Sequence, residues 1–313
     1  MEKIVPALWQ NLTVKEVLLQ KLSLSHGVLT TLKAKENGIL CNGERVTVRY
    51  VLKEGDFLSL ALDDEKGCEN PSVPPVFFPL DICYEDPFLV VVNKPSGMPT
   101  HPSYRHREDT LANALAYRYR DKPFVFRAVN RLDRETSGTV LVAKSAFAAA
   151  GLTAAMQKNE INKEYLTFAW GVTPEKGEIV LPIRRVKNSI MVRETVPPGE
   201  SDPAAEYAET RYERLLSNGK ISLLRVYPKT GRTHQIRVHF ASLGFPLVGD
   251  TLYGHPPSPV CPLQNPAHAE SGESFPHTAL HACALTFPHP FSGFPIRIEA
   301  PLPIDLRHLT EML

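Results

Sequence analysis

From residue 12 to 62 the apolar positions follow first a helical and then a strand-like spacing, which predicts a small separate unit. A helix is expected through Val14 to Leu22 and a second from about Ser25 to Glu36. A hairpin should follow. Asn42-Gly43, whose residues tolerate positive φ, stands between Ile39-Leu40-Cys41 and Val46-Thr47-Val48, and Gly55-Asp56 opens a closing strand over Phe57 to Leu62. From about Asp63 to Pro79 the pattern stops. This stretch is acidic and then carries Pro71, Pro74, Pro75 and Pro79, as an extended spacer would, so the expected organisation is a unit over 1–64, a linker over 65–79 and a second domain over 80–313.

In the second domain strand-like runs dominate. Ile82 to Tyr84, Leu89 to Val92, Thr139 to Ala143, Glu164 to Trp170, Glu206 to Leu215 and Ile221 to Tyr227 read as strands. Asp109 can cap a helix through Tyr119, Ser145 an alanine-rich one to Gln157, and Thr233 to Leu243 makes a third that Gly244 can end. Strands interspersed with isolated helices predict an α+β fold on a mixed, largely antiparallel sheet, not a doubly wound one. The proline-rich segment 256–276 reads as a surface loop.

With 313 residues and 43% hydrophobic content the chain can bury a substantial core. Its net charge of +1 argues neither for nor against nucleic acid, so any RNA surface must be local. Residues 103–144 offer one: Arg105, Arg107, Arg118, Arg120, Lys122, Arg127, Arg131, Arg134 and Lys144 interleave with Tyr104, Tyr117, Tyr119, Phe124 and Phe126, although a helix with a solvated basic face reads the same way. The five cysteines are scattered without a C-x-x-C pair, which indicates neither a disulfide framework nor a zinc site. With no apolar signal core at the start and no apolar run of about 20 residues, a cytoplasmic, membrane-free location is expected.

The densest chemistry lies in Asn130-Arg131-Leu132-Asp133-Arg134-Glu135-Thr136-Ser137-Gly138, where one carboxylate sits among arginines just before a turn and an apolar run. A nucleophile needs such mounting and nearby positive charge, for which Arg131 and Arg134 are the local candidates, although a solvated ion-pair cluster reads the same way. On the third helix Ile236, Phe240 and Leu243 share an apolar face, while His234 and Arg237 lie on another, so Arg237 should be presented and not buried in the apolar stripe. His234 and His239 are five apart, as are His101 and His106, which is not the spacing of a helical metal site. No phosphate loop, dinucleotide fingerprint or nucleophile elbow is present, and nothing in the chain calls for a cofactor or a metal.

Three separated segments resemble the RluA-type family of RNA pseudouridine synthases. Tyr84 to Pro102 contains an N-K-P-x-G turn in Asn93-Lys94-Pro95-Ser96-Gly97; the Asp133 string is similar to the family's R-L-D-x-x-T-S-G; and Thr230-Gly231-Arg232-Thr233-His234-Gln235-Ile236-Arg237, trailed by Gly249-Asp250-Thr251-Leu252-Tyr253-Gly254, looks like its T-G-R-T-H-Q-I-R and G-D-x-x-Y-G. The resemblance covers roughly residues 80–310.

It implies an isomerase that breaks the N-glycosidic bond of a uridine and rejoins the ribose to carbon 5 of the same uracil, without cofactor or metal. Asp133 would be the nucleophile, or a base generating a glycal; Arg237 would pair with it; and Tyr165, in Lys163-Glu164-Tyr165, would stack on the target base. Ile236 would touch the other face of the base, and Arg131 would fill the gap left by the extruded nucleotide, with Asn130, Lys163, Arg232 and His234 alongside. Asn130 stands where the commoner family version has histidine and is expected to be structural.

The first 64 residues resemble an RNA-binding module, the αL type often fused ahead of such synthases, with a generic small α+β domain as the other reading. RNA is thus the expected partner, ribosomal before transfer RNA, and a monomer the expected state. A noncatalytic RNA-binding or ribosome-assembly protein is a rival; retention of Asp133, Tyr165 and Arg237 speaks against it. A nucleic-acid glycosylase is another; it would need an activated water, usually with a second carboxylate or a titrating partner, and no residue of the matched motifs reads in that role.

Overall fold

The computed structural model describes residues 1–22, 24, 26–62, 72–254 and 275–313. Strands β1 (Glu2–Ile4), β2 (Ile39–Cys41), β3 (Glu44–Arg45) and β4 (Phe57–Leu60) form an antiparallel sheet in the order β1-β4-β2-β3. Thr13 starts α1 (Val14–Glu16) with a capping box: its hydroxyl accepts the Glu16 N–H at 3.2 Å, and the Glu16 carboxylate accepts the Thr13 N–H at 2.7 Å. The helix runs on as a π-helical turn, Val17–Lys21, and α2 follows at His26–Ala34. Leu18, Leu32, Leu52, Leu58 and Leu60 fill the space between helices and sheet.

At the hairpin, Asn42 and Gly43 take φ of 53° and 83°, and the Asn42 side chain reaches the Phe57 N–H and Asp56. Two expectations fail here. The run Val46-Thr47-Val48 is not a strand, because β3 stops at Arg45, and β1 was not foreseen because three residues with polar ends carry no alternation signal.

This unit packs on the rest of the chain through aromatic rings. Phe147, fully buried, belongs to the core of the N-terminal unit; Phe88 stacks on Phe291 with centroids 5.0 Å apart, and Lys3 lies 5.2 Å over the Phe291 ring.

A second sheet contains β5 (Asp81–Glu85), β6 (Leu89–Lys94), β7 (Arg127–Ala128), β8 (Ser137–Ala143), β9 (Asn162–Trp170) and β10 (Lys176–Val180). Next come a hairpin of its own, β11 (Ile183–Arg185) with β12 (Arg193–Thr195), then β13 (Glu209–Ser217), β14 (Ile221–Pro228), β15 (Leu280–Pro288) and β16 (Pro295–Glu299). The large sheet runs β10-β13-β14-β9-β15-β8-β6-β5, with β16 on β15 and β7 on β8. The pair β8 and β15 is parallel and the other pairs are antiparallel, so the fold is α+β with a mixed, largely antiparallel sheet.

Helices cover both faces. Val90, Val92, Val140 and Val142 meet α3 (Leu111–Arg118), and Leu89, Val91 and Leu141 meet α4 (Ala146–Gln157) on the opposite side. Burial on two sides is why β6 and β8 read as unbroken apolar runs. Helix α5 (Gln235–Ser242) lies on the α3 side through Ile236 and Phe240.

Ser145 caps α4, accepting the Ala148 N–H at 3.3 Å. The cap of α3 is Thr110, not Asp109: Thr110 and Asn113 exchange side-chain and backbone bonds, while Asp109 holds His106 at 2.6 Å. A last helix, Ile304–Glu311, went unforeseen. The spacer reading over 63–71 and most of the expected loop over 256–276 fall outside the described residues.

Candidate active site

The segment before β8 carries Asp133, and backbone and side-chain hydrogen bonds hold it on every side. Asn130 starts the clamp: its amide donates to the Thr139 carbonyl at 3.0 Å, and its side-chain oxygen accepts the Leu141 N–H at 2.8 Å. That side chain is turned onto β8, which revises its inclusion among substrate contacts. The Thr100 hydroxyl bonds both the carbonyl and the N–H of Leu132, at 3.0 and 3.3 Å. The Gly97 N–H donates to the Arg134 carbonyl at 2.8 Å, and the Ser96 hydroxyl to the Glu135 carbonyl at 2.7 Å. Lys94, with no exposed surface, donates to the carbonyls of Pro95, Met98 and Arg134. The N-K-P-S-G turn is therefore the bracket for the Asp133 loop.

Gly138 follows the loop and cannot be replaced cheaply. Its φ is +113°, and a Cβ there would stand 2.2 Å from the Ala282 carbonyl oxygen, where β8 meets β15 in parallel.

The Asp133 side chain is 27% exposed and faces the Nη1 of Arg237 at 3.3 Å. Arg237 also binds Asp250 with two parallel bonds, Nε to Oδ2 at 2.7 Å and Nη2 to Oδ1 at 2.8 Å. Burial works against the guanidinium's charge, but Asp250 and then Asp133 outweigh it and hold Arg237 protonated.

Two expectations are corrected here. Arg237 is buried, at 6% exposure, because α5 is covered on all sides and Gln235 to Ala241 are all buried. The charge beside Asp133 comes from Arg237 and from Lys94, while Arg134 pairs with Glu135 and Arg131 points to solvent.

His234 sits in a left-handed conformation at φ 57°, with Nε2 3.9 Å from the Asp133 carboxylate and Nδ1 2.8 Å from the Tyr253 hydroxyl. That hydroxyl accepts the Arg193 N–H at 3.0 Å, which leaves its proton for Nδ1 and places the His234 N–H on Nε2, toward Asp133. Burial lowers the His234 pKa, so the neutral ring is favoured.

Tyr165 on β9 and Ile236 on α5 lie in one apolar cluster with Leu132, next to Asp133. Burial, and then the Asp133 charge, raise the Tyr165 phenol and keep it protonated. Lys163 donates to the Thr230 carbonyl at 3.0 Å, and Arg232 is pinned to the Tyr207 carbonyl and Glu206 at 3.0 and 2.7 Å. Asp133, Arg237, His234, Tyr165 and Ile236 thus come together; Arg232 lies in, and Lys163 holds, the loop that leads from β14 to α5.

The basic patch is partly dissolved. Glu85 takes Arg118 and Lys144 at 2.6 and 3.1 Å, and Tyr119 and Phe124 are buried in the core. Tyr104, at 88% exposure, stays open with Arg105, Arg107 and Arg131, and Arg120 and Lys122 are exposed as well. Sequence reasoning also left Lys94, Asp250 and Tyr253 without roles, although N-K-P-S-G and G-D-x-x-Y-G were the signals that contained them. Among the described residues no helix is long and apolar enough to cross a membrane.

Residues 88–242 match the family profile for RNA pseudouridylate synthase. The chain is 36% identical over 301 residues to the uncharacterized RNA pseudouridine synthase YjbO of Bacillus subtilis strain 168, covering 95% of this chain and 98% of that one. It is 34% identical over 281 residues to ribosomal large subunit pseudouridine synthase D of Haemophilus ducreyi, covering 89% of this chain and 82% of that one. In fold it is similar to human RNA pseudouridylate synthase domain containing 1, with a TM-score of 0.56 and 24% identity over 76% of this chain and 96% of that one.

Proposed function

This chain belongs to the RluA-type family of RNA pseudouridine synthases, isomerases that convert uridine in RNA to pseudouridine, and from that premise we propose that Asp133 is its nucleophile and ribosomal RNA its substrate. The observation that carries the assignment is a single partly exposed carboxylate, 27% open, held 3.3 Å from a buried arginine at the edge of the Tyr165 and Ile236 cluster.

The reaction breaks the C1′–N1 bond and makes a C1′–C5 bond within one nucleotide. In the proposed sequence the Asp133 carboxylate adds to C1′ as N1 leaves with the bonding pair. The freed uracil turns, C5 attacks C1′ and expels the carboxylate, and the C5 hydrogen is lost while N1 gains one. No atom is gained or lost overall. Arg237, 3.3 Å away, directs the Asp133 carboxylate. Tyr165, kept neutral, offers a face on which the uracil can stack while it turns, and Ile236 the opposing apolar wall.

A uridine in a helix hides its glycosidic bond, so the nucleotide must leave the stack at a cost of a few kcal/mol. Exposed Tyr104, Arg105, Arg107 and Arg131 supply stacking and phosphate contacts to offset that cost, with Arg131 filling the vacated position. The N-terminal unit serves as a second RNA-binding surface, and the enzyme works as a cytoplasmic monomer. Ribosomal RNA is favoured over transfer RNA by the relatives named ribosomal large subunit pseudouridine synthase D and by the likeness of residues 1–64 to an αL module.

The test is carbodiimide mapping of pseudouridine across total RNA from a deletion strain complemented with wild type or with Asp133→Asn. Ribosomal sites lost on deletion and restored only by wild type support the proposal; restoration by Asp133→Asn removes Asp133 as nucleophile, and loss confined to transfer RNA removes the ribosomal substrate.

A further inference from the structure

Arg237 is shared between two carboxylates, and the sharing is unequal. Asp250, whose side chain has no exposed surface, takes the Nε and Nη2 edge at 2.7 and 2.8 Å, while Asp133 receives only Nη1, at 3.3 Å. A guanidinium can offer a carboxylate two parallel bonds, and such a pair is the strongest form this contact takes. Asp133 does not get it.

Asp250 is itself fixed. Its Oδ1 accepts the N–H groups of Leu252 and Tyr253 at 3.0 and 3.1 Å, and its carbonyl accepts the Gly254 N–H at 2.8 Å. The turn it belongs to requires Gly249, at φ +71°, where a Cβ would stand 2.0 Å from the His277 carbonyl oxygen. Rigid backbone therefore sets the plane of Arg237 through Asp250, and does so before any RNA is bound.

We propose that Asp250 is a positioning residue for the isomerisation: by occupying one edge of Arg237 it limits Asp133 to a single contact, which aims the carboxylate without quenching it. A doubly bonded Asp133 would be a weaker nucleophile, because the lone pairs that must reach C1′ would be committed to the guanidinium. The proposal rests on the reading of Asp133 as nucleophile.

Asp250→Asn removes one acceptor and the counter-charge from Arg237. The freed guanidinium then turns toward Asp133 and can take it with two parallel bonds. The charged and titratable groups beside Asp133 are Arg237, His234, Lys94, Tyr165 and Tyr253, and all of them are retained, so the difference between variant and wild type isolates Asp250.

Turnover is read by release of tritium from unmodified ribosomal transcripts carrying 5-tritiated uridine, since C5 loses its hydrogen when it bonds C1′. Asp250→Asn is expected to lower kcat by ~10-fold or more with KM within ~3-fold. Arg237→Gln and the double variant Arg237→Gln/Asp250→Asn are expected to have the same kcat, because Asp250 acts through Arg237. The double variant also removes both buried charges, so it keeps the test open if Asp250→Asn does not fold. An unchanged kcat in Asp250→Asn, a loss shared equally by kcat and KM, or a further loss of kcat in the double variant would make Asp250 an anchor of the fold and overturn the proposal. Asp133→Asn, run alongside, separates the two readings: turnover without Asp133 removes the nucleophile, and this proposal with it, whatever Asp250 does.

Discussion

Lys94 donates to the carbonyl oxygen of Arg134 at 3.2 Å, across 40 residues of chain, and so ties the end of β6 to the residue that follows Asp133. The same nitrogen donates to Pro95 and Met98 at 2.9 and 2.7 Å. Two effects oppose each other at this group. Burial draws its pKa down to about 7 against the pull of Asp133 and Glu135, yet three carbonyl acceptors suit an ammonium, since a neutral amine could serve only two. The geometry therefore favours a charged Lys94, whose positive charge adds to that of Arg237.

Lys94→Met keeps the length of the side chain and removes its three donors. The Arg134 carbonyl retains the Gly97 N–H, so the carbonyls of Pro95 and Met98 bear the loss. The expected cost is about 2–4 kcal/mol, read as a shift in the urea midpoint at unchanged slope. Below that transition kcat is expected to fall ~10-fold or more with RNA affinity nearly kept, because the Asp133 loop has lost its bracket. Wild-type stability and turnover in this variant would show that the bracket is idle.

Asn130 makes a second, independent attachment. Asn130→Ala leaves the Leu141 N–H and the Thr139 carbonyl without their side-chain partner and is expected to cost about 1–3 kcal/mol. Asn130→His offers an acceptor and a donor at similar separation and is expected to keep turnover within ~3-fold. Parallel urea melts and single-turnover assays check both; a large gain of activity in Asn130→His would mean that the ring does chemistry there.

What was legible in the chain was local. The Asn42-Gly43 hairpin, the Ser145 cap and the continuous runs of β6 and β8 each follow from neighbouring residues. Asp133, Arg237, Tyr165 and Ile236 were named from motifs and lie together at one end of the apolar cluster. What could not be read was contributed by distant chain. Arg237 seemed presented because one face of α5 is apolar, yet Val192 and the turn holding Tyr253 pack the other side. Lys94 closes an apolar strand and resembles an ordinary exposed end until the Arg134 loop is laid over it. The basic patch lost members to Glu85, which stands 33 residues from Arg118 and 59 from Lys144.

Gly138 tests the parallel contact of β8 with β15. Alanine there must adopt φ near +113° and meet the Ala282 carbonyl oxygen at 2.2 Å, a backbone atom that cannot swing aside. Strain and separation of the two strands together are expected to cost ~3 kcal/mol or more. Thermal melting of Gly138→Ala would show this, and a melting point within a degree or two of wild type would mean that the strands part at little cost.

The last expectation concerns acid stability and rests on His281, which has no exposed surface. Its Nδ1 lies 2.8 Å from the Ser137 hydroxyl, and its Nε2 lies 3.3 Å from the Ala300 carbonyl. A carbonyl can only accept, so Nε2 carries the proton and Nδ1 accepts from Ser137: both nitrogens are satisfied in the neutral ring. Burial pushes the pKa from 6.5 down to about 4. In the unfolded chain the imidazole takes a proton near pH 6.5, whereas in the folded one it resists until about 4. Between those values the unfolded state binds more protons, so stability is lost as pH falls through the window, by about 3 kcal/mol in all. His281→Gln keeps a donor for the Ala300 carbonyl and cannot titrate. Its stability relative to wild type should therefore rise by about 2 kcal/mol or more between pH 7 and 4.5. Carboxylates such as Glu85, held down at about 2, act at lower pH and cancel in the comparison. Urea melts of both proteins at the two pH values measure the difference, and parallel pH dependence would mean that His281 is protonated inside the fold as readily as outside it.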